Sequence, residues 1–190
     1  MLDFALTSSS GLSGAAVTGV TGSGATRTVT VSSGSGAGTL RLDLKDNDSI
    51  KDAVGNPLGG AGLLNGDFST GQAYTIDRTP PQVLSIKRAS ANPPTSKFMT
   101  FTVTFSEAVT GVGQADFSVT STGYAPGIAV TSVTGTGATR TVTVYAPWGW
   151  GTLRLDLIDD DSIKDATWTP LGGTGLLNGD FITGEEYTAP

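Results

Sequence analysis

Residues 3–74 of this chain recur at 116–187. Asp3-Phe4 returns as Asp116-Phe117, and the offset of 113 holds without a gap to Tyr74 and Tyr187, with 48 of the 72 aligned positions identical. This repeat constrains the fold more than any other feature. Solenoid and propeller units recur every ~20–50 residues, so a period this long marks whole domains in tandem. Each copy must then bury a core of its own. The expected division is 1–78 and 79–190. The second copy is preceded by "PQVLSIKRASANPPTSKFMTFTVTFSEAVTGVGQA" at 81–115, and the first has no such stretch ahead of it. The first domain is therefore expected to be truncated, short of its N-terminal strands. An open sheet edge recruits another strand, so this domain is expected either to be completed by a neighbouring chain, giving a homo-oligomer, or to fray. Between the copies, "YTIDRTPPQVLSI" carries the pair Pro80-Pro81, which cannot donate to a ladder and stiffens a short joint.

The local pattern is that of strands. In "FMTFTVTFSE", Phe101, Val103 and Phe105 alternate with Thr100, Thr102 and Thr104, the period-2 signature of a half-buried strand. "VLSIKRA", "DFSVTST", "IAVTSVTG", "TRTVTVYA", "GTLRLDLI" and "EEYTA" supply six more, separated by Gly-rich turns. About seven short strands of this kind fit a Greek-key sandwich of immunoglobulin type. The expected fold is all-β: tandem immunoglobulin-like Greek-key β-sandwiches.

Charge and composition narrow the function. The net charge is −6, with neither His nor Cys in 190 residues. Nucleic-acid binders carry a basic footprint, so a nucleic-acid partner is not expected. Without Cys there is no disulfide framework and no thiolate zinc site. No apolar run approaches the ~18 residues that span a bilayer, and "MLDFALTSSS" has no basic region or long apolar core of a signal peptide. Ser or Thr nucleophiles would need a base other than His. The paired carboxylates, which could serve glycoside hydrolysis, repeat in both copies as structural motifs do. "GSGATRTV" and "GTGATRTV" resemble phosphate loops only in Gly spacing; Thr-rich strands flank them, so they are hairpin turns. The expectation is a non-enzymatic protein.

Two acidic loops stand out. "DLKDNDSIKD" (43–52) holds Asp46, Asp48 and Asp52, and "DLIDDDSIKD" (156–165) holds Asp159, Asp161 and Asp165. Carboxylates at i, i+2 and i+6 can converge on one Ca²⁺, with carbonyls and water completing the shell. Asp77 in the joint and Glu107 in a strand turn are further candidates for such a site. The alternative is that these residues form Asx-turns and block edge-to-edge association.

The differences between the copies are concentrated. Gly11 becomes Tyr124, Ser32 becomes Tyr145, Ser35 becomes Trp148, Ala37 becomes Trp150 and Gly55 becomes Trp168. All three Trp of the chain thus stand where the first copy has Gly, Ser or Ala, in "STGYAPG", "VYAPWGWG" and "ATWTP". Tyr and Trp offer large contact area at low entropic cost and dominate binding hot spots; they also stack on sugar rings. Tyr124, Tyr145, Trp148 and Trp150 are expected at one end of the sandwich, Trp168 at the other. A protein or glycan ligand at these loops is one reading; packing against their own domain or a neighbouring repeat is the other. Loop diversification of a scaffold, natural or engineered, leaves the same pattern.

"FTVTFSEAVTGVGQADFSVTSTG" and "GTLRLDLIDDDSIKD" together resemble the bacterial immunoglobulin-like repeats of large cell-surface adhesins and biofilm-associated proteins, as does "DAVGNPLGG" in the first copy. The resemblance covers the second copy fully and the first from its third strand on. It implies seven-stranded sandwiches, display on the bacterial cell surface, an adhesive or spacer role, and stiffening by calcium. "DATWTPLGG" departs from the pattern, with Trp168 and Thr169 in place of the turn Gly and Asn. The readings carried forward are an adhesin-type repeat module with an aromatic loop patch, a self-assembling surface filament subunit completed by a neighbour's strands, and a carbohydrate-binding module or engineered loop binder.

Overall fold

The computed structural model describes residues 3–123, 126–147 and 149–189. It is built of short strands and falls into two compact units, 1–78 and 79–190.

The described part of unit 1 holds seven strands: β1 (Phe4–Ser8), β2 (Leu12–Ser13), β3 (Ala16–Thr21), β4 (Thr28–Ser32), β5 (Ser35–Gly36), β6 (Gly38–Leu44) and β7 (Ala73–Ile76). They make one three-stranded sheet in the order β1-β6-β7 and two separate pairs, β3-β4 and β2-β5. Unit 2 holds β8 (Val83–Arg88), β9 (Phe98–Phe105), a single 3₁₀ turn at Gln114–Asp116, β10 (Phe117–Ser121), β11 (Ala129–Thr134), β12 (Thr139–Tyr145), β13 (Gly151–Leu157) and β14 (Glu186–Ala189). These form a four-stranded sheet, β11-β12-β9-β8, and a three-stranded sheet, β10-β13-β14.

The alternation read in the sequence decides which face each strand buries. Met99, Phe101, Val103 and Phe105 of β9 are all at most 2% exposed, while the Thr residues between them are partly exposed. They meet Leu153, Leu155 and Leu157 of β13 and Val142 and Val144 of β12 in one apolar cluster. Fully burying a side chain of this size is worth about 1.5–3 kcal/mol, so this cluster dominates the stability of unit 2. Tyr187 of β14 closes its edge. Its ring meets Phe101 edge-on at 5.1 Å between centroids, and its hydroxyl donates to the Thr100 carbonyl at 2.7 Å and accepts the Ser90 amide at 2.8 Å.

At the offset of 113, β1, β3, β4, β6 and β7 answer to β10, β11, β12, β13 and β14. No strand of the described part of unit 1 answers to β8 or β9. The consequences are local and physical. Strand β12 begins at Thr139 because Thr139 and Arg140 pair with Thr104 and Val103 of β9. Strand β4, without that partner, begins only at Thr28. Val29, Val31, Leu42, Leu44, Ile50 and Leu58 are half-buried, whereas their counterparts Val142, Val144, Leu155, Leu157, Ile163 and Leu171 are at most 1% exposed. Tyr74 is 71% exposed and its counterpart Tyr187 0%. The same side chains line a closed core in one unit and an uncovered apolar face in the other.

Candidate functional site

The aromatic replacements of unit 2 lie at the ends of its strands. The β10–β11 and β12–β13 connections meet. The Thr122 amide donates to the Thr152 carbonyl at 2.9 Å, and a Cβ at Gly123 would lie 2.9 Å from the Trp150 ring, so that ring rests on the Gly123 backbone. Trp150 is nonetheless 70% exposed. Tyr145 ends β12, pairs across the ladder with Phe98, and tilts against its ring at 5.4 Å between centroids. Phe98 is itself 53% exposed. Tyr124 and Trp148 lie outside the described residues. One end of unit 2 thus presents Trp150, Tyr145 and Phe98.

Trp168 is not part of that cluster. It stands in the long connection after β13, whereas Trp150 stands just before β13, so about seven residues of strand at ~3.3 Å each separate the two ends. Trp168 is 77% exposed and has φ 67°. The left-handed region is a genuine outlier for a bulky side chain. Its counterpart Gly55 has φ 94°, where glycine carries no steric penalty. Unit 2 thus places a Trp in a conformation built for glycine and leaves it in water, with the Lys164 ammonium 6.0 Å from the ring centroid. Neither burial nor backbone preference accounts for the residue.

The acidic loops are organised by backbone amides. In the second loop, Asp159 accepts the Asp161 amide at 3.2 Å and the Gly179 amide at 3.2 Å. Asp161 accepts the Gly175 amide through both oxygens. Asp165 accepts the Thr167 and Thr169 amides at 2.7 and 2.9 Å. Asp46, Asp48 and Asp52 make the matching bonds to Asp48, Gly66, Gly62, Val54 and Asn56. Burial pushes the Asp159 carboxyl above the usual carboxylate range. Burial also pushes Asp165 up, but the Thr169 and Thr167 bonds outweigh it and hold that carboxyl low. Asp52 is held low by the Asn56 side chain. Glu107 is half-buried in the turn after β9, and Asp77 is exposed after β7, in the other unit. Among the described residues no three of these carboxylates are placed to share a cation.

Two features escaped the sequence reading. Phe98 shares its face with Thr100 and Thr102 and reads as a strand-end residue until Tyr145 is seen against it. Leu63, Leu64, Leu176 and Leu177 are 60–69% exposed at matching places in the two units, with Leu64 and Leu177 at φ 69° and 66°. The pair "LLNGDF" is identical in both copies, and that identity is the signal that singles it out.

Comparison of the chain with protein-family models, with curated proteins and with solved structures finds no match. Among the described residues no helix is long and apolar enough to cross a membrane.

Proposed function

We propose that the chain is a non-enzymatic, extracellular, adhesin-type pair of immunoglobulin-like repeats, and that unit 2 presents aromatic side chains to a protein or glycan ligand. The fold part of this reading is supported by sheet order. Labelled A to G in chain order, β8 to β14 fall into A-B-E-D and C-F-G, the arrangement of a seven-strand immunoglobulin domain of constant type. In that arrangement the C–D and E–F connections share one end, as the Thr122–Thr152 bond requires.

The observation that carries the binding role is Trp168. An exposed Trp held at positive φ, where the sister repeat has Gly, costs stability and returns no packing. Strain of this kind concentrates at functional positions. Trp150 repeats the logic without the strain: an exposed indole on a constant frame, above a glycine. The proposal is tested on glycan and protein arrays with the parent chain, Trp150→Ala and Trp168→Gly. Binding that either substitution weakens by at least about tenfold, some 1.4 kcal/mol, supports the assignment. A ligand bound equally by parent and both variants removes it.

A further inference from the structure

The identical stretch "LLNGDF" places Asn65-Gly66 in unit 1 and Asn178-Gly179 in unit 2, and the local packing calls for both residues of each pair. A Cβ at Gly66 would lie 2.8 Å from Leu58 Cγ and 2.9 Å from the Leu58 carbonyl oxygen; at Gly179 the same distances to Leu171 are 2.7 and 3.0 Å. Only glycine fits so close a backbone approach. The Asn65 side-chain amide donates to the Gly60 carbonyl at 3.2 Å, and that of Asn178 to the Gly173 carbonyl at 3.2 Å. Both asparagines are exposed. The fold thereby builds, twice, the dipeptide in which the thermolabile asparagine side chain is easiest to attack, because glycine sets no Cβ beside the attacking main-chain nitrogen.

That nitrogen is held by a buried carboxylate. The Gly66 amide donates to Asp46 Oδ2 at 3.2 Å and the Gly179 amide to Asp159 Oδ2 at 3.2 Å. Asp46 and Asp159 are 2% and 1% exposed. The same two residues anchor the turn ahead of each pair: the Leu64 amide donates to the Asp46 carbonyl at 3.2 Å and the Leu177 amide to the Asp159 carbonyl at 3.1 Å. We propose that Asn65-Gly66 and Asn178-Gly179 are sites of self-modification to isoaspartate, and that Asp46 and Asp159 hold each site shut until its loop opens.

In the reaction the glycine nitrogen gives its proton to solvent base and bonds to the asparagine Cγ. The Cγ–Nδ2 bond breaks, ammonia leaves with a proton returned by solvent, and a five-membered succinimide remains. Water then opens one of the two ring carbonyls, giving aspartate or, with one extra main-chain carbon, isoaspartate. The net change is asparagine plus water to acid plus ammonia, with nothing oxidised or reduced. The Asp159 carboxylate opposes the first step, since its charge disfavours an amide anion beside it and its hydrogen bond keeps the Gly179 N–H engaged. The Asn178 amide is tethered to Gly173 at the same time. Both bonds must break, so conversion waits on local opening. It is also one-way. The product adds a carboxylate beside Asp159 and Asp180, where Asp180 already accepts the Asp159 amide at 2.7 Å, and it lengthens the main chain inside the loop. This inference is independent of the aromatic residues.

The test holds the full chain and, separately, a synthetic peptide of residues 174–182 in mildly alkaline buffer. Isoaspartate is then measured by mass spectrometry in the tryptic fragments that follow Lys51 and Lys164, which report the two sites separately. Amide exchange at Gly66 and Gly179 is followed in parallel. Both sites are expected to convert at least about tenfold more slowly than the peptide, by the factor that slows exchange of the Gly66 and Gly179 amides. Asp159→Asn leaves one acceptor oxygen for the two amides that Asp159 now accepts. It should speed conversion at Asn178 and leave Asn65 unchanged, and Asp46→Asn should do the reverse. Conversion of the folded chain at the peptide's rate would overturn the proposal. So would no conversion after the peptide's conversion time multiplied by the exchange factor, or variants that speed both sites alike or neither. The comparison of conversion with exchange uses the parent chain alone, so a variant that fails to fold leaves it decisive.

Discussion

Removing one hydroxyl from the same tyrosine in each unit probes the difference between the covered and the uncovered face. Tyr187→Phe keeps the ring on Phe101 and deletes an oxygen that accepts from the Ser90 amide, lies 2.6 Å from the Ser90 hydroxyl and donates to the Thr100 carbonyl. The Thr100 carbonyl retains the Ala89 amide at 2.8 Å, and Ser90 is exposed enough for water to reach it. The penalty is therefore below that of two orphaned groups and comes to about 1–2 kcal/mol. For a unit of this size that lowers the melting temperature by about 4–8 °C. Tyr74→Phe removes a hydroxyl already in water and should change stability by less than about 0.5 kcal/mol. Differential scanning calorimetry of the parent and both variants reads the two values in one frame. Equal losses at the two positions would show that Tyr74 is covered as Tyr187 is, and would refute the reasoning about the uncovered face.

Three further outcomes are expected. Trp168→Gly should be more stable than Trp168→Ala by about 1 kcal/mol in urea denaturation, because alanine retains the positive-φ penalty that glycine removes; equal stabilities would mean that the backbone there is relaxed. Asp43 is held down to about 2, first by the Arg41 hydrogen bond and then by Thr7. A carboxyl depressed below its unfolded value of about 3.9 contributes stability above that value and loses it as pH falls towards about 2, so Asp43→Asn should flatten the acid limb of unit 1 unfolding between those values. If the loop carboxylates do their work by accepting backbone amides, EDTA should move the melting temperature by less than about 1 °C, and a shift of several degrees, as mass action gives for a tightly bound ion, would show the carboxylates regrouped around a cation.

Much of the frame was legible because strand alternation reports directly on burial. "FMTFTVTF" names its inward residues, and comparison of the two copies isolates the aromatic replacements. What the sequence could not show depended on contacts distant along the chain. The i, i+2 spacing of Asp159 and Asp161 suits a metal loop, yet their partners Gly179 and Gly175 lie 20 and 14 residues away. Tyr145 was readable as the end of the strand "TRTVTVYA", but its ring contact with Phe98, 47 positions earlier, was not. Trp168 was recognisable as a replaced turn glycine, whereas its positive φ and exposure required the backbone. That no stretch of unit 1 aligns with β8 or β9 was readable from the two copies; that Tyr74 is 71% exposed where its counterpart Tyr187 is fully buried emerged only from the folded units.

Native-state hydrogen exchange of the full chain tests most directly the claim that one frame is closed in unit 2 and open in unit 1. Amides of Thr139–Tyr145, paired on both sides by β9 and β11, should exchange only with global opening of their unit. Those of Thr28–Ser32, paired by β3 alone, should exchange at least about a hundredfold faster through local opening. Equal protection of the two strands would contradict the account.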